Sequence, residues 1–384
     1  MSPIVRTASS TTGTPGRKYT PTHAPGRAAA RSGRVRGVKK IVRKDLPAFS
    51  RQMAAMLAAG MPIVAALETI EEQTQNPNFK LAINYLRKNI EGGASFSESL
   101  RQLPEIFDEL YVNMVRAGEQ SGQFAETMKR LGDLLEANAR LRRKIKSAMT
   151  YPLVVLSLAI IIAIGMIIFI VPVFAQMYAD FGSSLPGPTQ FLVNLSYAGK
   201  KYSVVIIPAI VVLLLAFRQW RRTAHGALMV DAFLLRAPIF GVLVQKVAVA
   251  RFARTLAQLV QSGVPILSAL ETVARATGNR VIEAAILEAR TAVEHGDTLS
   301  AGLTGKSCMP AMLIRMMAAG EKTGKMDEML ESVADNFDDE VDAMLGALTS
   351  MLEPLLMIIL GVVIGGIVVC MFLPIFKLSE VVAK

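Results

Sequence analysis

Two apolar segments at residues 153–174 and 355–376 constrain the fold of this chain more than any other feature. Each has 22 residues, which as an α-helix would be about 33 Å long, enough to cross a hydrocarbon layer of about 30 Å. Their ends match as well. Tyr151-Pro152 precedes the first, Glu353-Pro354 precedes the second, and each closes on the pattern hydrophobic-Pro-hydrophobic-Phe. The sequence therefore indicates a membrane protein with an internal duplication.

The duplication extends through the polar regions that precede both segments. At an offset of 203 residues the identical pairs include Phe49 and Phe252, Arg51 and Arg254, Gly60 and Gly263, Pro62 and Pro265, Glu68 and Glu271, and Thr69 and Thr272. At an offset of 202 residues, Ala117-Gly118-Glu119 recurs as Ala319-Gly320-Glu321, and Gly122 recurs as Gly324. Each half is thus a polar region of about 100 residues followed by an apolar span.

Helical periodicity predicts an all-α fold. Apolar residues recur at i, i+4, i+7 and i+8 in Phe49, Met53, Met56 and Leu57 and again in Phe252, Leu256, Leu259 and Val260. We predict a polytopic membrane protein with two homologous cytoplasmic helical bundles and three transmembrane helices. The predicted regions are a disordered basic tail at 1–44, a bundle at 45–150, a span at 151–176, an extracytoplasmic loop at 177–201, a span at 202–218, a bundle at 219–352, a span at 353–376 and a short extracytoplasmic tail at 377–384.

The middle span is predicted from the repeat rather than from its length. Its apolar stretch at 202–217 has 16 residues and would reach about 24 Å as a helix, so a buried or re-entrant segment is an alternative. Two equivalent polar regions should lie on one side of the membrane, which requires a return crossing. Basic residues at 140–146 and 218–222 place the N-terminus and both bundles in the cytoplasm of the cell by the positive-inside rule. The acids at 335–342 give no such signal.

Positive charge is concentrated in the first 44 residues, which hold eleven Lys and Arg and no acid, against a formal net charge of +11 for the whole chain. The Ser, Thr, Pro, Gly, Ala and Arg composition of this tail predicts disorder. A solvated tail is the first interpretation, and attraction to anionic membrane lipid is the second. We expect no nucleic-acid partner because Tyr19 is the only aromatic residue there that could stack on a base.

Residues suited to catalysis or cofactor binding are sparse. Thr304-Gly305-Lys306-Ser307 resembles the end of a P-loop, but Ser300 stands where that motif requires glycine. The three histidines lack a second ligand at metal spacing. Cys308 and Cys370 do not form a disulfide framework. We therefore predict no enzymatic activity, no cofactor and no metal.

Several short sequences together resemble the type II secretion F family. They are Phe107-Asp108-Glu109-Leu110-Tyr111, Ala117-Gly118-Glu119-Gln120-Ser121-Gly122, Ala148-Met149-Thr150-Tyr151-Pro152, Ala250-Arg251-Phe252-Ala253-Arg254-Thr255-Leu256, Ala276-Thr277-Gly278-Asn279 and Leu373-Pro374-Ile375-Phe376. The resemblance covers about residues 45–380 and looks closest to the type IV pilus branch. The arginine-rich tail replaces the longer leader of many members, so contacts made by that leader are not carried over.

The resemblance implies a fold and a set of partners. It implies two cytoplasmic six-helix bundles in an inner-membrane platform that links a hexameric cytoplasmic ATPase to the extraction of pilin subunits from the membrane. Pseudopilins, other inner-membrane assembly components and membrane lipid are further expected partners. A homo-oligomer is expected for a platform under a ring-shaped motor.

Nine residues are candidates for contacts with these partners. Turns at 118–122 and 320–324 would present Glu119 and Glu321, the alternative being ordinary interhelical turns with solvated carboxylates. Glu353 opens the third span and would face a basic partner helix or the pilin N-terminus, the alternative being a solvated interfacial carboxylate. Arg140 aligns with Asp342, and we hypothesise that their helices lie side by side, in one chain or across a dimer. The full set is Gly118, Glu119, Gly122, Gly320, Glu321, Gly324, Glu353, Arg140 and Asp342.

Two other classes of function are alternatives. A transporter fits internal repeats and broken helices, but the spans contain no paired ionisable residues at mid-depth. A membrane enzyme would need a nucleophile, acid–base or metal constellation. The leading hypothesis is an inner-membrane platform of a type IV pilus assembly machine, with the platform of a type II secretion system as the alternative and DNA uptake as a third use of such machines.

Overall fold

Helices form all the regular secondary structure in the described part of the chain, which is residues 44–180 and 187–382 of a computed structural model. The basic tail predicted at 1–44 lies outside the described residues except for Lys44. The first half contains α1 (Leu46–Ala58), α2 (Ile63–Gln73), α3 (Pro77–Glu91), α4 (Phe96–Arg101), α5 (Glu109–Ser121), α6 (Phe124–Gly165), a π-helical turn (Met166–Ile170) and α7 (Val171–Asp180).

A connecting region of two helices follows, α8 (Gly187–Trp220) and α9 (Ala224–Arg236). The second half then repeats the order of the first with α10 (Phe240–Gln261), α11 (Ile266–Ala276), α12 (Arg280–Glu294), α13 (Leu299–Leu303), α14 (Ala311–Thr323) and α15 (Met326–Val382). Helices α1–α6 correspond to α10–α15, so each bundle has the six helices that the resemblance implies. The all-α fold and the duplication are confirmed.

The first turn of each bundle is set by the same glycine and proline. Gly60 and Gly263 follow α1 and α10 with φ of +82° and +76°, a left-handed conformation that glycine adopts without steric cost. Pro62 and Pro265 are the N-cap residues of α2 and α11. The repeat in sequence is therefore a repeat in backbone geometry.

One hydrophobic core runs through both bundles. In the first bundle the ring of Phe49 packs edge-on against that of Phe79, with ring centroids 5.5 Å apart. The ring centroids of Phe107 and Tyr111 are 5.0 Å apart. In the second bundle Phe252, the equivalent of Phe49, is fully buried. Burial of each such side chain stabilises the fold by about 1.5–3 kcal/mol, so packing of these apolar faces holds the bundles together.

Polar contacts join the two bundles to each other. Glu109 on α5 pairs with Arg275 on α11 at 2.6 Å. Close by, the amide of Asn113 donates to the hydroxyl of Thr272 at 3.0 Å. The guanidinium of Arg130 on α6 donates to the carbonyl of Gln261 at 2.7 Å. The bundles therefore contact each other through α5 and α6 of the first and α10 and α11 of the second, which are not equivalent helices of the repeat.

Two described segments are long and apolar enough to cross a membrane, Phe124–Met177 and Met326–Leu373. Two bent pairs of helices also meet this test if each pair is taken as one span: Gly187–Tyr202 with Val204–Trp220, and Ala224–Arg236 with Phe240–Gln261. Length and composition thus give two spans, or up to four with the bent pairs. The protein is a membrane protein in which the first and last predicted spans are helical.

Both outer spans continue directly from a bundle helix. α6 passes through Pro152 without ending, and α15 runs for 57 residues, which corresponds to about 85 Å. In the first span the π-helical turn at Met166–Ile170 separates α6 from α7, and such turns change the hydrogen-bond ladder locally. No loop in these helices separates either bundle from its span.

The segment predicted as an extracytoplasmic loop at 177–201 is largely helical in its described residues, and its position outside the cytoplasm stays a prediction. α7 continues to Asp180, and α8 begins at Gly187 and has 34 residues. The apolar stretch at 202–217 follows in the same helix after a bend of 55° between Tyr202 and Val204. The helix at 187–201 was not expected because the Gly-, Ser- and Pro-rich run at 182–188 is typical of a loop, whereas Leu192 and Val193 are buried and make the start of α8 amphipathic.

The start of α8 packs against both outer spans. The hydroxyl of Thr189 donates to the carbonyl of Cys370 at 2.5 Å. An apolar cluster surrounds this contact, formed by Val171, Ala175, Leu192, Val193, Ile367 and Met371. The three membrane-associated helical regions therefore meet at the end of the spans that lies far from the bundles.

Candidate functional site

The segments predicted as turns at 118–122 and 320–324 are the helical ends of α5 and α14, in which only Gly122 and Gly324 lie beyond the helix. Gly122 and Gly324 cap α5 and α14 in the left-handed region, with φ of +71° and +70°. Gly118 lies so close to the next helix that a Cβ atom would be 2.5 Å from the hydroxyl oxygen of Thr127. At Gly320 a Cβ atom would be 2.8 Å from the Cα of Met326. These glycines permit a close turn between consecutive helices.

Glu119 and Glu321 point back into their own bundles. The carboxylate of Glu119 accepts hydrogen bonds from the backbone N–H groups of Phe96 at 2.7 Å and Ser97 at 3.1 Å. Glu321 accepts from the N–H groups of Leu299 at 2.6 Å and Ser300 at 3.2 Å. A carboxylate at a helix N-terminus satisfies free N–H groups and complements the helix dipole.

This arrangement favours the structural interpretation of both glutamates. Both residues are partly buried, and their oxygens already cap α4 and α13. Contact of Glu119 or Glu321 with a partner stays a prediction. The repeated carboxylate cap is a finding that the sequence spacing alone did not reveal, since it depends on the direction of two side chains across a turn.

The helices that precede the outer spans lie side by side within one chain. Below the spans α6 packs on α15, and an apolar cluster of Leu141, Leu243, Val341, Leu345 and Leu348 lies between α6, α10 and α15. The hypothesis of adjacent helices is therefore confirmed for a single chain. The sequence alone did not distinguish contact within one chain from contact across a dimer.

The ion pair that joins α6 to α15 differs from the Arg140–Asp342 pair that the alignment of the two halves suggested. Asp342 pairs with Lys144, one turn after Arg140. Arg140 lines the same cleft, whose volume is about 370 Å³, but has no ion pair within residues 44–180 and 187–382. Because residues i and i+4 share a helix face, the alignment identified the correct face and missed the pairing residue by one turn.

A second set of ion pairs was missed although the repeat contains a signal for it. Arg254 on α10 binds Asp335 at 2.6 Å and Asp338 at 2.5 Å. Arg51 on α1 pairs with Glu136 on α6 at the equivalent positions of the first bundle. Arg51 aligns with Arg254 at one offset of the repeat and Glu136 with Asp338 at the other. A search for opposite charges that recur in both halves would have found this contact.

Glu353 lies within α15 and not at the start of a helix. Its side chain is exposed, and it has no hydrogen bond or ion pair among the residues that the structure describes. Pro354 follows it inside the same helix. The nine candidate residues therefore do not form one site: six lie at two turns, two at the α6–α15 contact and one at the base of the last span.

The sequence at 304–307, which resembles the end of a P-loop, lies in an ordinary turn after a short helix. Gly305 follows the five-residue helix α13 with φ of +81°, and Lys306 pairs with Glu288 on α12. No group of three or more His, Cys, Asp or Glu that could hold a metal ion occurs among the described residues.

Comparison with known proteins gives a match in each half of the chain. The family model described as "Type II secretion system (T2SS), protein F" matches residues 49–172 and 252–374. Each match begins in the first helix of a bundle and ends in an outer span. The chain belongs to the type II secretion system protein F family. The family resemblance drawn from the sequence is confirmed, and the two family domains coincide with the structural repeat.

Relatives of this protein F family member come from two kinds of machine. Type IV pilus assembly protein PilC of Myxococcus xanthus is 41% identical over 336 residues, which cover 88% of this chain and 81% of the relative. PilC of Pseudomonas aeruginosa is 39% identical over 345 residues, or 90% and 92% of the two chains. Type II secretion system protein F of the same organism is 31% identical over 361 residues, or 92% and 87%.

Proposed function

We propose that this protein is the inner-membrane platform of a type IV pilus assembly machine. It couples a cytoplasmic assembly ATPase to the insertion of pilin subunits into the growing pilus. The observation that supports the pilus branch is the comparison within one organism: this chain is 39% identical to PilC of Pseudomonas aeruginosa but 31% identical to its type II secretion system protein F.

Each bundle is connected directly to a span, and this connection would carry motion from the motor to the membrane. Since α6 and α15 run from the bundles into the membrane, a displacement of the bundles also displaces the outer spans. The Lys144–Asp342 ion pair and the apolar cluster between the two helices make them move together. Such rigid-body motion transmits work without a nucleotide site in the platform.

In this proposal both bundles face the cytoplasm, where the motor is. Three crossings, by α6–α7, α8 and α15, bring the second bundle back to the side of the first. The basic residues before the first span and after α8 favour this orientation. The contact between the bundles through Glu109 and Arg275 supports a position of both on the same side.

A type II secretion platform is the second candidate, because relatives named type II secretion system protein F match most of the chain. In that machine the moving subunits would be pseudopilins. Both candidates share the same coupling of motor to membrane subunit, so they differ in the structure assembled and in the cargo released.

Deletion of the gene distinguishes the two candidates. Surface pili are imaged and secreted proteins are quantified in the same cultures, with complementation by the intact gene as the control. The pilus proposal predicts loss of pili with normal secretion, restored by complementation. Normal pili with trapped secreted proteins would assign the platform to type II secretion, and no change in either would contradict the platform proposal.

A further inference from the structure

We propose that a basic shelf at the foot of the first span binds the headgroups of anionic phospholipids. The basic shelf consists of Arg142, Arg143 and Lys146 on α6 together with Arg251 on α10. It is independent of the proposed function, since it requires only that the adjoining segment crosses the membrane.

The three cations of α6 lie on one side of that helix. Successive residues turn by about 100°, which places Arg142, Lys146 and Arg143 within a sector of about 100°. Leu141 lies in the apolar cluster against α15 and α10, and Lys144 faces the cleft where it pairs with Asp342. The three cations therefore face away from the acids of α15.

Among the described residues, none of these three cations has a counterion. All three side chains are exposed, and in the part of the chain that the structure describes they form no ion pair. On α15, Glu340 and Asp338 are engaged elsewhere, since Glu340 pairs with Lys246 and Asp338 with Arg254. The basic shelf thus keeps its positive charge available for an external anion.

Arg251 adds a partly buried cation to the basic shelf. Its guanidinium donates to the carbonyl of Thr277 at 3.3 Å, its sole hydrogen bond within residues 44–180 and 187–382. Burial lowers the pKa of Arg251, and the nearby positive charge of Arg142 lowers it further. A partly buried guanidinium without a carboxylate is unfavourable, and an external phosphate would compensate both arginines.

The position of the basic shelf favours a membrane lipid as the source of that phosphate. Met149 and Leu153 are exposed apolar residues on the same side of α6 as Lys146. At a rise of about 1.5 Å per residue, Lys146 is about 4.5 Å and Arg142 about 10.5 Å from the level of Met149. These distances are close to the depth of a headgroup layer and to a Debye length of about 8 Å.

The test measures which lipids stay bound to the purified full-length protein. The protein is equilibrated in detergent with equal amounts of phosphatidylglycerol and phosphatidylcholine of the same acyl chains, and bound lipids are counted by native mass spectrometry. Each Lys or Arg near an anionic surface contributes about fivefold to attraction. We expect the preference for phosphatidylglycerol to fall at least tenfold in the triple variant R142Q/R143Q/K146Q and about fivefold in R251Q.

Matched variants separate a local site from net charge. Lys80→Gln, Lys88→Gln and Lys129→Gln together remove the same charge from exposed positions elsewhere in the first bundle, and we expect an unchanged preference. The charge-conserving R142K/R143K variant should also keep it. Equal retention of both lipids by the unmodified protein, or an equal loss of preference in both triple variants, would overturn the proposal. If the first triple variant does not fold, R251Q decides. A preference for phosphatidylglycerol that is about fivefold lower, with R142K/R143K unchanged, supports the proposal, and an unchanged preference in R251Q overturns it.

Discussion

Replacing Glu321 by alanine removes the carboxylate that caps α13. The change leaves the N–H groups of Leu299 and Ser300, now 2.6 and 3.2 Å from that carboxylate, without a protein partner. A hydrogen bond to a charged group contributes about 1.5–3 kcal/mol, and loss of a helix N-cap costs about 0.5–2 kcal/mol. Since Glu321 is partly exposed and water can replace some of these contacts, we expect a loss of about 2–3 kcal/mol.

Two measurements on the full-length protein in detergent check this value. Thermal unfolding should show a Tm lower by about 5–10 °C, at about 2–4 °C per kcal/mol for a domain of this size. Hydrogen–deuterium exchange should accelerate at Leu299 and Ser300 with little change in α10 or α15. The matched control is Glu331→Ala, which removes an exposed carboxylate that has no hydrogen bond among the described residues.

The partner-contact interpretation predicts the opposite pattern. If Glu321 serves only to bind the motor, Glu321→Ala would leave Tm and exchange equal to those of Glu331→Ala and would weaken binding of the ATPase. That result would refute the assignment of Glu321 as an internal cap. The equivalent change Glu119→Ala should destabilise α4 in the same way, because its carboxylate makes the same two backbone contacts.

Three further predictions concern the turns, the helix pair and a partly buried carboxylate. Gly324→Ala should lower stability by about 1–2 kcal/mol because φ is +70° there, whereas Gly346→Ala, in a helix with open space beside it, should not; thermal unfolding in detergent compares them. Lys144→Glu should lower the Tm slightly, since exposed pairs contribute less than about 1 kcal/mol, and adding Asp342→Lys should restore it; a double variant no better than the single one would count against direct pairing. Burial alone would raise the pKa of Glu71, but hydrogen bonds from Asn84 and Arg87 and the charge of Arg87 lower it overall. A lowered pKa in the folded state means that Glu71 stabilises the fold at neutral pH and that this contribution is lost as the pH falls through its folded pKa. Glu71→Gln should therefore reduce the difference in stability between pH 7 and acidic pH, and the exposed Glu68→Gln should not.

The internal repeat made much of this fold predictable from the sequence. Equivalent glycines at 60 and 263 predicted equivalent helix ends because only a residue without Cβ accepts that backbone conformation at no cost. The amphipathic period predicted the buried face of α1 and α10, including Phe49 and Phe252. The charge difference between α6 and α15 predicted that these helices lie together.

Other features depend on side-chain directions that the sequence does not specify. Glu119 was a candidate for a partner contact or for a solvated carboxylate, yet its carboxylate accepts hydrogen bonds from two N–H groups about 22 residues earlier in the chain. Asp342 pairs with Lys144 instead of Arg140 because both cations share a face and the choice depends on the axial shift between two helices. The helical start of α8 was missed because its polar residues conceal a narrow apolar face at Leu192 and Val193.

The proposed coupling of motor to membrane is tested most directly by measuring on which side of the membrane each bundle lies. Cysteines are introduced one at a time in place of exposed Lys88 in the first bundle and exposed Glu331 in the second, in a chain with Cys308→Ala and Cys370→Ala, and labelled with a membrane-impermeant maleimide. If both bundles lie in the cytoplasm, both sites are protected in intact spheroplasts and both react in inverted membrane vesicles. Labelling of the two sites from opposite sides would contradict the proposed coupling, since one cytoplasmic motor could not then engage both bundles.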